Sequence, residues 1–320
     1  MNFKLVLRIT GFTLLIEAGA MLIPLAVSLL YGESPVPFLC TILIILAAAC
    51  VPVFLLKPRQ QDFFAREGFF TVGLIWVLFG VFGALPFWFS HQFGSYVDCF
   101  FETISGFTTT GATILTEIEG LPMGLLFWRS FTHWLGGMGV LVLTAALLPF
   151  LGISSNFLIR AESPGPVKSK LMPRASQSSK ILYAIYLALT VLEILCLRVA
   201  GMNWYDAVTH AMSTAGTGGF SDMNASVGSF GNPTVEIIIT VFMLLFSVNF
   251  AIYFLILTGK VKQALKSDEL RFFLIMVAIS IAAIAWNLRD VYATIGDCVR
   301  YAAFQVASIV STTGFSSANY

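Results

Sequence analysis

The sequence predicts an all-α polytopic membrane protein made of repeated units, with two extra helices at the N-terminus. Three observations favour this fold class: a very apolar composition, long apolar runs separated by basic loops, and a Thr-Gly motif that recurs about every 100 residues. Of the 320 residues, 58% are hydrophobic and 11% are charged, whereas a soluble domain has about 25% charged residues. The net charge of +1 argues against a nucleic-acid-binding surface.

The apolar runs define the expected spans. A helix that crosses a bilayer needs about 20 predominantly apolar residues. Six runs have roughly this length, at 9–31, 38–56, 68–90, 124–151, 181–200 and 234–258, and a seventh covers 272–288. Lys4 and Arg8 precede the first run, and no small-residue cleavage site follows it, so we expect a retained helix and not a signal peptide. The five cysteines are scattered and are expected to act as apolar fillers.

The distribution of basic residues predicts the orientation. Lysine and arginine occur in the loops 57–67, 152–180 and 259–271, and none occurs in the segments 91–123 and 201–233. Basic loops stay in the cytoplasm. The sequence therefore predicts a multi-pass protein with its N-terminus and its basic loops inside.

Each of the two base-free outer segments contains a stretch too short to span the bilayer, at 96–107 and 204–215. A helix of about 11 residues is roughly 16 Å long, which is half a bilayer. Asp98 and Asp206 stand near the starts of these stretches and are expected to cap the helices. Taken singly, either segment could also be an ordinary extracellular loop with an amphipathic helix.

Both short stretches lead into a Thr-Gly sequence, and a third copy follows at 304–317. With Gly111, Gly218 and Gly314 in register, a threonine precedes each glycine, and Ser105 and Ser308 stand six residues before theirs. This repeat predicts helix–pore-loop–helix units around a central ion pore. The expected divisions are an N-terminal extension at 1–67, the first repeat at 68–175, the second at 176–265 and an incomplete third at 266–320.

The Thr-Gly segments suit a cation. The C-terminus of a half-helix carries partial negative charge, and backbone carbonyls of the returning chain can replace the hydration shell of an ion. Glycine permits the backbone conformations that such a loop needs. Six acidic residues of the outer segments are expected to add negative potential. They are Asp98, Glu102, Glu117, Glu119, Asp206 and Asp222.

The stretches "SGFTTTGAT", "STAGTGGFS" and "STTGFSS" resemble the filter segments of the Trk/Ktr potassium-uptake family, most closely its bacterial TrkH branch. "RSFTHWLGGMGVLVL" and "AESPGPVKSKLMPR" extend the resemblance over the chain. It implies four pore-loop repeats around one pore, with potassium ion as the transported species and no organic cofactor. It also implies a homodimer in the lipid of the bacterial cytoplasmic (inner) membrane and a cytosolic nucleotide-binding regulatory subunit. The potassium filter positions that it implies are Thr109, Thr110, Gly111, Gly216, Thr217, Gly218, Thr312, Thr313 and Gly314.

The third Thr-Gly copy is followed by six residues up to Tyr320. Because the family has a fourth pore loop, we expect this chain to be a fragment that lacks repeat four. The alternatives to potassium uptake are a secondary transporter of another cation or solute, and a non-conducting fragment. A membrane enzyme would need a cluster of nucleophile, base or metal-ligand residues, and the sequence shows no such cluster.

Several other polar residues have two interpretations. His91, His133 and His210 are too far apart in sequence for a metal motif, so packed or capping roles are favoured. Arg129 and Glu193 fall within or beside predicted spans, where charge is a functional candidate. For Arg129, snorkelling or an ion pair with Glu102 or Glu117 is favoured. The loop "PGPVKSK" could dock a cytosolic regulator, although positive-inside bias explains most of its charge.

Overall fold

The computed structural model describes residues 2–56, 65–139 and 175–318, and all regular structure within these ranges is helical. This confirms the predicted fold class. The α-helices, in chain order, are α1 (Phe3–Ala20), α2 (Leu22–Leu30), α3 (Val36–Cys50), α4 (Ala65–Gly83), α5 (Leu85–Phe89), α6 (Tyr96–Phe107), α7 (Met123–Gly137), α8 (Ala175–Val199), α9 (Trp204–Ala215), α10 (Pro233–Ser247), α11 (Phe250–Leu257), α12 (Val261–Leu265), α13 (Asp268–Asn287) and α14 (Ile295–Val310). A π-helical turn (Val51–Leu55) extends α3, and 3-10 turns cover Ser226–Phe230 and Leu288–Asp290.

Five helical segments of the described residues are long and apolar enough to cross a membrane, and a sixth qualifies if a bent helix pair counts as one span. Each of the five overlaps one predicted apolar run. They are Phe3–Leu30, Val36–Leu55, Arg66–Phe89, Ile181–Val199 and Asp268–Asp290. The predicted run 124–151 begins as α7, and its part from 140 to 151 lies outside the described residues, as does the stretch "AESPGPVKSKLMPR".

The predicted run 234–258 is not one continuous helix, and that prediction was wrong. It forms α10 and α11, whose axes differ by 89°. Val248 between them is extended (ψ 137°), and the Asn249 side chain accepts a hydrogen bond of 3.0 Å from the Ala251 N–H. Asparagine competes with the helical backbone through such local bonds, so it starts a new helix where hydropathy alone shows an uninterrupted span.

The chain divides into two compact units. The first contains Met1–Phe107, Ala112–Leu115 and Gly120–Lys180. In it α1 packs against α3 and α4, and α6 packs against α4 and α7. Close approach of α6 and α7 depends on Gly136, because a Cβ there would lie 2.8 Å from the Phe107 carbonyl carbon. This agrees with the general use of small residues where membrane helices approach closely.

The second unit contains Thr108–Gly111, Thr116–Glu119 and Ile181–Tyr320. Its core joins α9, α10 and α14, and α10 packs against both of the other two helices. The fully buried members are Leu197, Ala207, Ala211, Val227, Ile239, Met243, Phe304 and Ala307. This core holds the C-terminal ends of α9 and α14, from which two of the Thr-Gly segments leave.

The two predicted short helices have the expected bounds, at Tyr96–Phe107 and Trp204–Ala215. Their caps differ from the prediction. The side chains of Ser95, Asn203 and Thr294 accept hydrogen bonds from the N–H three residues later, at 3.2, 2.8 and 3.1 Å. Asp98 and Asp206 are therefore not the caps. They occupy the third helical position, where a carboxylate complements the helix dipole from inside the first turn.

Candidate ion-coordination site

Three backbone segments of similar conformation follow α6, α9 and α14. We call residues 108–111, 216–219 and 311–314 the first, second and third Thr-Gly loop. Each has a threonine with positive φ and, two residues later, a glycine with positive φ. The threonines are Thr109 (54°), Thr217 (53°) and Thr312 (61°), and the glycines are Gly111 (72°), Gly219 (77°) and Gly314 (85°). Left-handed backbone at a β-branched residue is a genuine outlier, and such outliers cluster at functional sites.

This shared conformation corrects the register in the second loop. The sequence alignment placed Gly218 opposite Gly111 and Gly314, but Gly219 has the equivalent conformation. Gly218 and Gly219 are consecutive, so glycine identity alone cannot tell which of them is left-handed. In the corrected register Ser213 joins Ser105 and Ser308, and all three copies read Ser-x-x-x-Thr-x-Gly. That longer pattern is the signal by which sequence reasoning could have found Gly219 and Ser213.

The three loops pack against one another, and all of them belong to the second unit. A Cβ on Gly111 would overlap the Gly218 carbonyl oxygen and lie 3.0 Å from its carbon. A Cβ on Gly219 would overlap the Thr313 carbonyl oxygen in the same way. In both contacts, the left-handed glycine of one loop touches the carbonyl just before the left-handed glycine of the next. For Gly314, no atom of the described residues lies within 4 Å of an added Cβ.

The nine residues predicted to form a filter all lie in these loops. Seven of them have the shared conformation or the carbonyls that pack against it: Thr109, Gly111, Thr217, Gly218, Thr312, Thr313 and Gly314. Thr110 and Gly314 are exposed, and Gly216 ends α9 as its C-cap. The coordination of an ion by these nine residues stays a prediction.

A buried ion pair lies behind the C-terminal half of α6. The Glu102 Oε1 atom accepts hydrogen bonds from Arg129 Nε (2.8 Å) and Thr113 Oγ1 (2.9 Å), and Oε2 accepts one from the Ile114 N–H (3.2 Å). Both charged side chains are almost inaccessible to solvent. The predicted pairing of Arg129 with Glu102 is confirmed. Because Glu102 is neutralised by Arg129, the expectation that it adds free negative potential was wrong.

The other five outer acids differ in their burial. Glu117 and Glu119 accept hydrogen bonds from the side-chain and backbone nitrogens of Asn224, both at 3.1 Å, in an exposed part of the second unit. Asp206 and Asp222 are buried. Asp98 is half-buried, so the negative potential predicted from the sequence comes from Asp98, Glu117 and Glu119.

His210 lies behind the second loop, fully buried. Its Nδ1 is 2.9 Å from the Asp206 carbonyl oxygen, and its Nε2 is 3.0 Å from Ser221 Oγ. The ring stacks on Phe315 at 5.6 Å and meets Phe230 edge-on at 5.1 Å. Within the described ranges, no three His, Cys, Asp or Glu side chains are grouped so that they could hold a metal ion. Glu193, the other singled-out charge, is fully buried in α8.

Burial and the neighbouring Asp222 carboxylate raise the pKa of Asp206 to about 6. An acid whose pKa is higher in the folded protein binds protons more tightly when folded, so its contribution to stability is greatest at low pH. We expect the free energy of unfolding to decrease through this group as the pH rises from about 4 to about 6.

Asp206→Asn should therefore flatten the pH dependence of thermal stability between about pH 4 and pH 6. Melting temperatures of the detergent-solubilised variant and wild type across this window measure the difference. Asp98→Asn, at the equivalent helical position of α6, is the matched control. If the melting temperature of Asp206→Asn depended on pH as strongly as that of the wild type, the raised pKa of Asp206 would be contradicted.

The fold and the site define a class: a polytopic α-helical membrane protein with three short helices, each followed by a Thr-Gly loop, and these loops contact one another. The chain belongs to the TrkH family, whose model, described as a cation transport protein, matches residues 36–320.

Curated relatives and a solved structure agree with this family. The Trk system potassium uptake protein TrkH of Escherichia coli (strain K12) is 37% identical over 324 residues, which are 99% of this chain and 67% of the relative. TrkH of Vibrio parahaemolyticus is 38% identical, over all of this chain and 68% of the relative. The crystal structure of the potassium transporter TrkH from Vibrio parahaemolyticus matches with a TM-score of 0.86 and 34% identity, over 99% of this chain and 66% of that one. The chain thus spans about two thirds of the length of these relatives.

Proposed function

We propose that this protein takes up potassium ions across the bacterial cytoplasmic membrane through a channel-like pore, and that the Thr-Gly loops form its selectivity filter. It is a transporter and not an enzyme. The observation that carries the proposal is the shared loop conformation: a left-handed threonine, an intervening residue outside the left-handed region, and a left-handed glycine, three times over. We infer that this alternation turns successive carbonyls toward one side of the chain.

Carbonyls on one side provide the chemistry that a dehydrated monovalent cation needs. A ring of carbonyl oxygens replaces the hydration shell, and several adjacent sites let the ion both enter and leave. The close packing of Gly111 against Gly218, and of Gly219 against Thr313, brings three such segments to one place. The loops contain no charged side chain, so the carbonyls are the strongest ligands that they offer. The coordinating set that we propose is the nine predicted residues together with Gly219.

Uptake in cells tests this function. The gene product that carries residues 1–320 is expressed in bacteria that lack their own potassium-uptake systems. We expect growth at low potassium and rubidium uptake that excess potassium inhibits and excess sodium does not. Cells with the empty vector are the control. Membrane-inserted protein that supports neither growth nor rubidium uptake would contradict the proposal.

The orientation is a proposal as well: the N-terminus and the basic loops face the cytoplasm. Single cysteines at the exposed positions Ser229 and Gln263, in a background without the five native cysteines, provide the test. A membrane-impermeant maleimide should label Ser229→Cys in intact cells, and it should label Gln263→Cys only after the membrane is opened. The reversed pattern would overturn the orientation.

We further propose the assembly and the division that the family implies. The protein forms a homodimer in the membrane and binds a cytosolic nucleotide-binding regulatory subunit on its basic side. Its repeats divide at 1–67, 68–175, 176–265 and 266–320. The corrected register of the three loops supports the repeat boundaries, because each copy contains one capped short helix and one Thr-Gly loop.

A further inference from the structure

A polar residue recurs at one place on each of the three short helices. Nine residues before the left-handed glycine stand Glu102, His210 and Gln305. Polar side chains at membrane depth are costly unless they are bonded. The first two bond to the hydroxyl residue that stands two places after their own glycine, which is Thr113 for Glu102 and Ser221 for His210. A shared position and a shared partner indicate a shared role, which is to hold the returning strand of the loop.

We propose that His210 is a positioning residue that fixes two Thr-Gly loops at once, the second through Ser221 and the third through Phe315. Its role in ion selection rests on the proposed function, whereas its role in fixing the loops does not. All the residues involved lie in the second unit.

The contact to the second loop is a directed hydrogen bond. Nδ1 of His210 faces the Asp206 carbonyl oxygen at 2.9 Å and the Asp222 carboxylate at 3.6 Å, which both only accept, so Nδ1 carries a proton. Nε2 lies 3.0 Å from Ser221 Oγ, and in the neutral ring it accepts the hydroxyl proton of Ser221. The Ser221 oxygen in turn accepts a hydrogen bond of 3.0 Å from the Met223 N–H. One tautomer of the ring therefore orders the chain that leaves Gly219.

The contact to the third loop is aromatic. Phe315 directly follows Gly314, is 1% exposed and stacks on the imidazole with an angle of 26° between the rings. Its carbonyl oxygen accepts a hydrogen bond of 2.7 Å from Ser308 Oγ at the end of α14. Movement of the His210 ring would thus displace the residue next to the left-handed glycine of the third loop. Phe230, edge-on to the same ring, keeps the imidazole in place.

Two substitutions separate the two contacts. His210→Phe retains an aromatic ring against Phe315 and removes the acceptor for Ser221. His210→Gln retains a polar group that can reach Ser221 and removes the stacked ring, and glutamine is the residue at the equivalent position of α14, Gln305. His91→Asn is the matched control, since His91 is an exposed histidine in an outer turn with positive φ (56°), which asparagine tolerates.

The test measures hydrogen exchange of the backbone amides in the detergent-solubilised protein, together with rubidium uptake in cells. We expect His210→Phe to speed exchange at least tenfold in 218–223 and to leave 312–317 unchanged. We expect His210→Gln to speed exchange at least tenfold in 312–317 and to leave 218–223 close to wild type. The control should match wild type in both segments. In both His210 variants, the selectivity for potassium over sodium should also decrease at least tenfold.

Equal exchange in all proteins, or equal loosening of both segments by both variants, would overturn the positioning role. If His210→Phe does not accumulate, Ser221→Ala replaces it and should speed exchange in 218–223. If His210→Gln does not accumulate, Phe315→Leu replaces it and should speed exchange in 312–317. Loosened loops in a protein whose wild type shows no selective uptake would support the positioning role and contradict the proposed function. Loosened loops with unchanged selectivity would overturn the link between His210 and ion selection.

Discussion

Gly111→Ala is expected to abolish discrimination between potassium and sodium in rubidium and sodium uptake assays. Two independent features of the structure require glycine there. The backbone has φ +72°, which an L side chain rarely adopts, and a Cβ would overlap the Gly218 carbonyl oxygen. That carbonyl must move, and with it the coordination that the proposed function assigns to the second loop. We expect a loss of at least tenfold in selectivity, equivalent to about 1.4 kcal/mol or more.

The control for this variant is Gly73→Ala in α4, where an added Cβ meets no atom of the described residues within 4 Å and φ is ordinary. It should insert and select potassium as wild type does. Gly219→Ala should reproduce the defect, because its Cβ would overlap the Thr313 carbonyl. Unchanged selectivity in a membrane-inserted Gly111→Ala protein would remove Gly111 from the filter.

Arg129→Gln is expected to be the most destabilising single substitution among the described charged residues. It leaves the Glu102 carboxylate buried without its cation, and breaking a buried pair from one side costs about 3–5 kcal/mol. The loss should extend beyond the pair, since Glu102 also accepts from Thr113 and from the Ile114 N–H. Thermal unfolding in detergent and the yield of membrane-inserted protein measure the effect.

Two comparisons separate this mechanism from a general loss of charge. Glu102→Gln combined with Arg129→Gln should recover much of the stability, because no uncompensated charge stays buried and glutamine already occupies the equivalent position at Gln305. Arg289→Gln breaks an exposed pair with Asp290 and should cost at most about 1 kcal/mol. If Arg129→Gln were no more harmful than Arg289→Gln, the buried pair would not be structural.

The apolar runs and the two short helices could be predicted because their signals are local. Apolar length sets the spans, and the polar stretches around Tyr96–Phe107 and Trp204–Ala215 set the bounds of the short helices, which the structure confirms. The break at Val248–Asn249 escaped prediction, since an averaged hydropathy does not register one asparagine that bonds its own backbone.

The details of the site depend on backbone conformation and on partners distant in sequence. Whether Gly218 or Gly219 is left-handed is decided by how the loops pack, and two adjacent glycines give no local preference. The capping roles of Ser95 and Asn203 were hidden by the more conspicuous aspartates three residues later. The contact between His210 and Phe315 joins residues that are about 100 positions apart, which a single sequence does not bring together.

The central claim is that the Thr-Gly loops bind a dehydrated potassium ion through backbone carbonyls. A crystal structure of the protein with thallium in place of potassium tests it most directly, because thallium resembles potassium and its anomalous scattering locates it. We predict a thallium peak between the loops, within coordination distance of the carbonyl oxygens of Thr109, Thr217 and Thr312, and its loss when sodium replaces thallium. Thallium bound elsewhere in the protein, with no peak between the loops, would contradict the account.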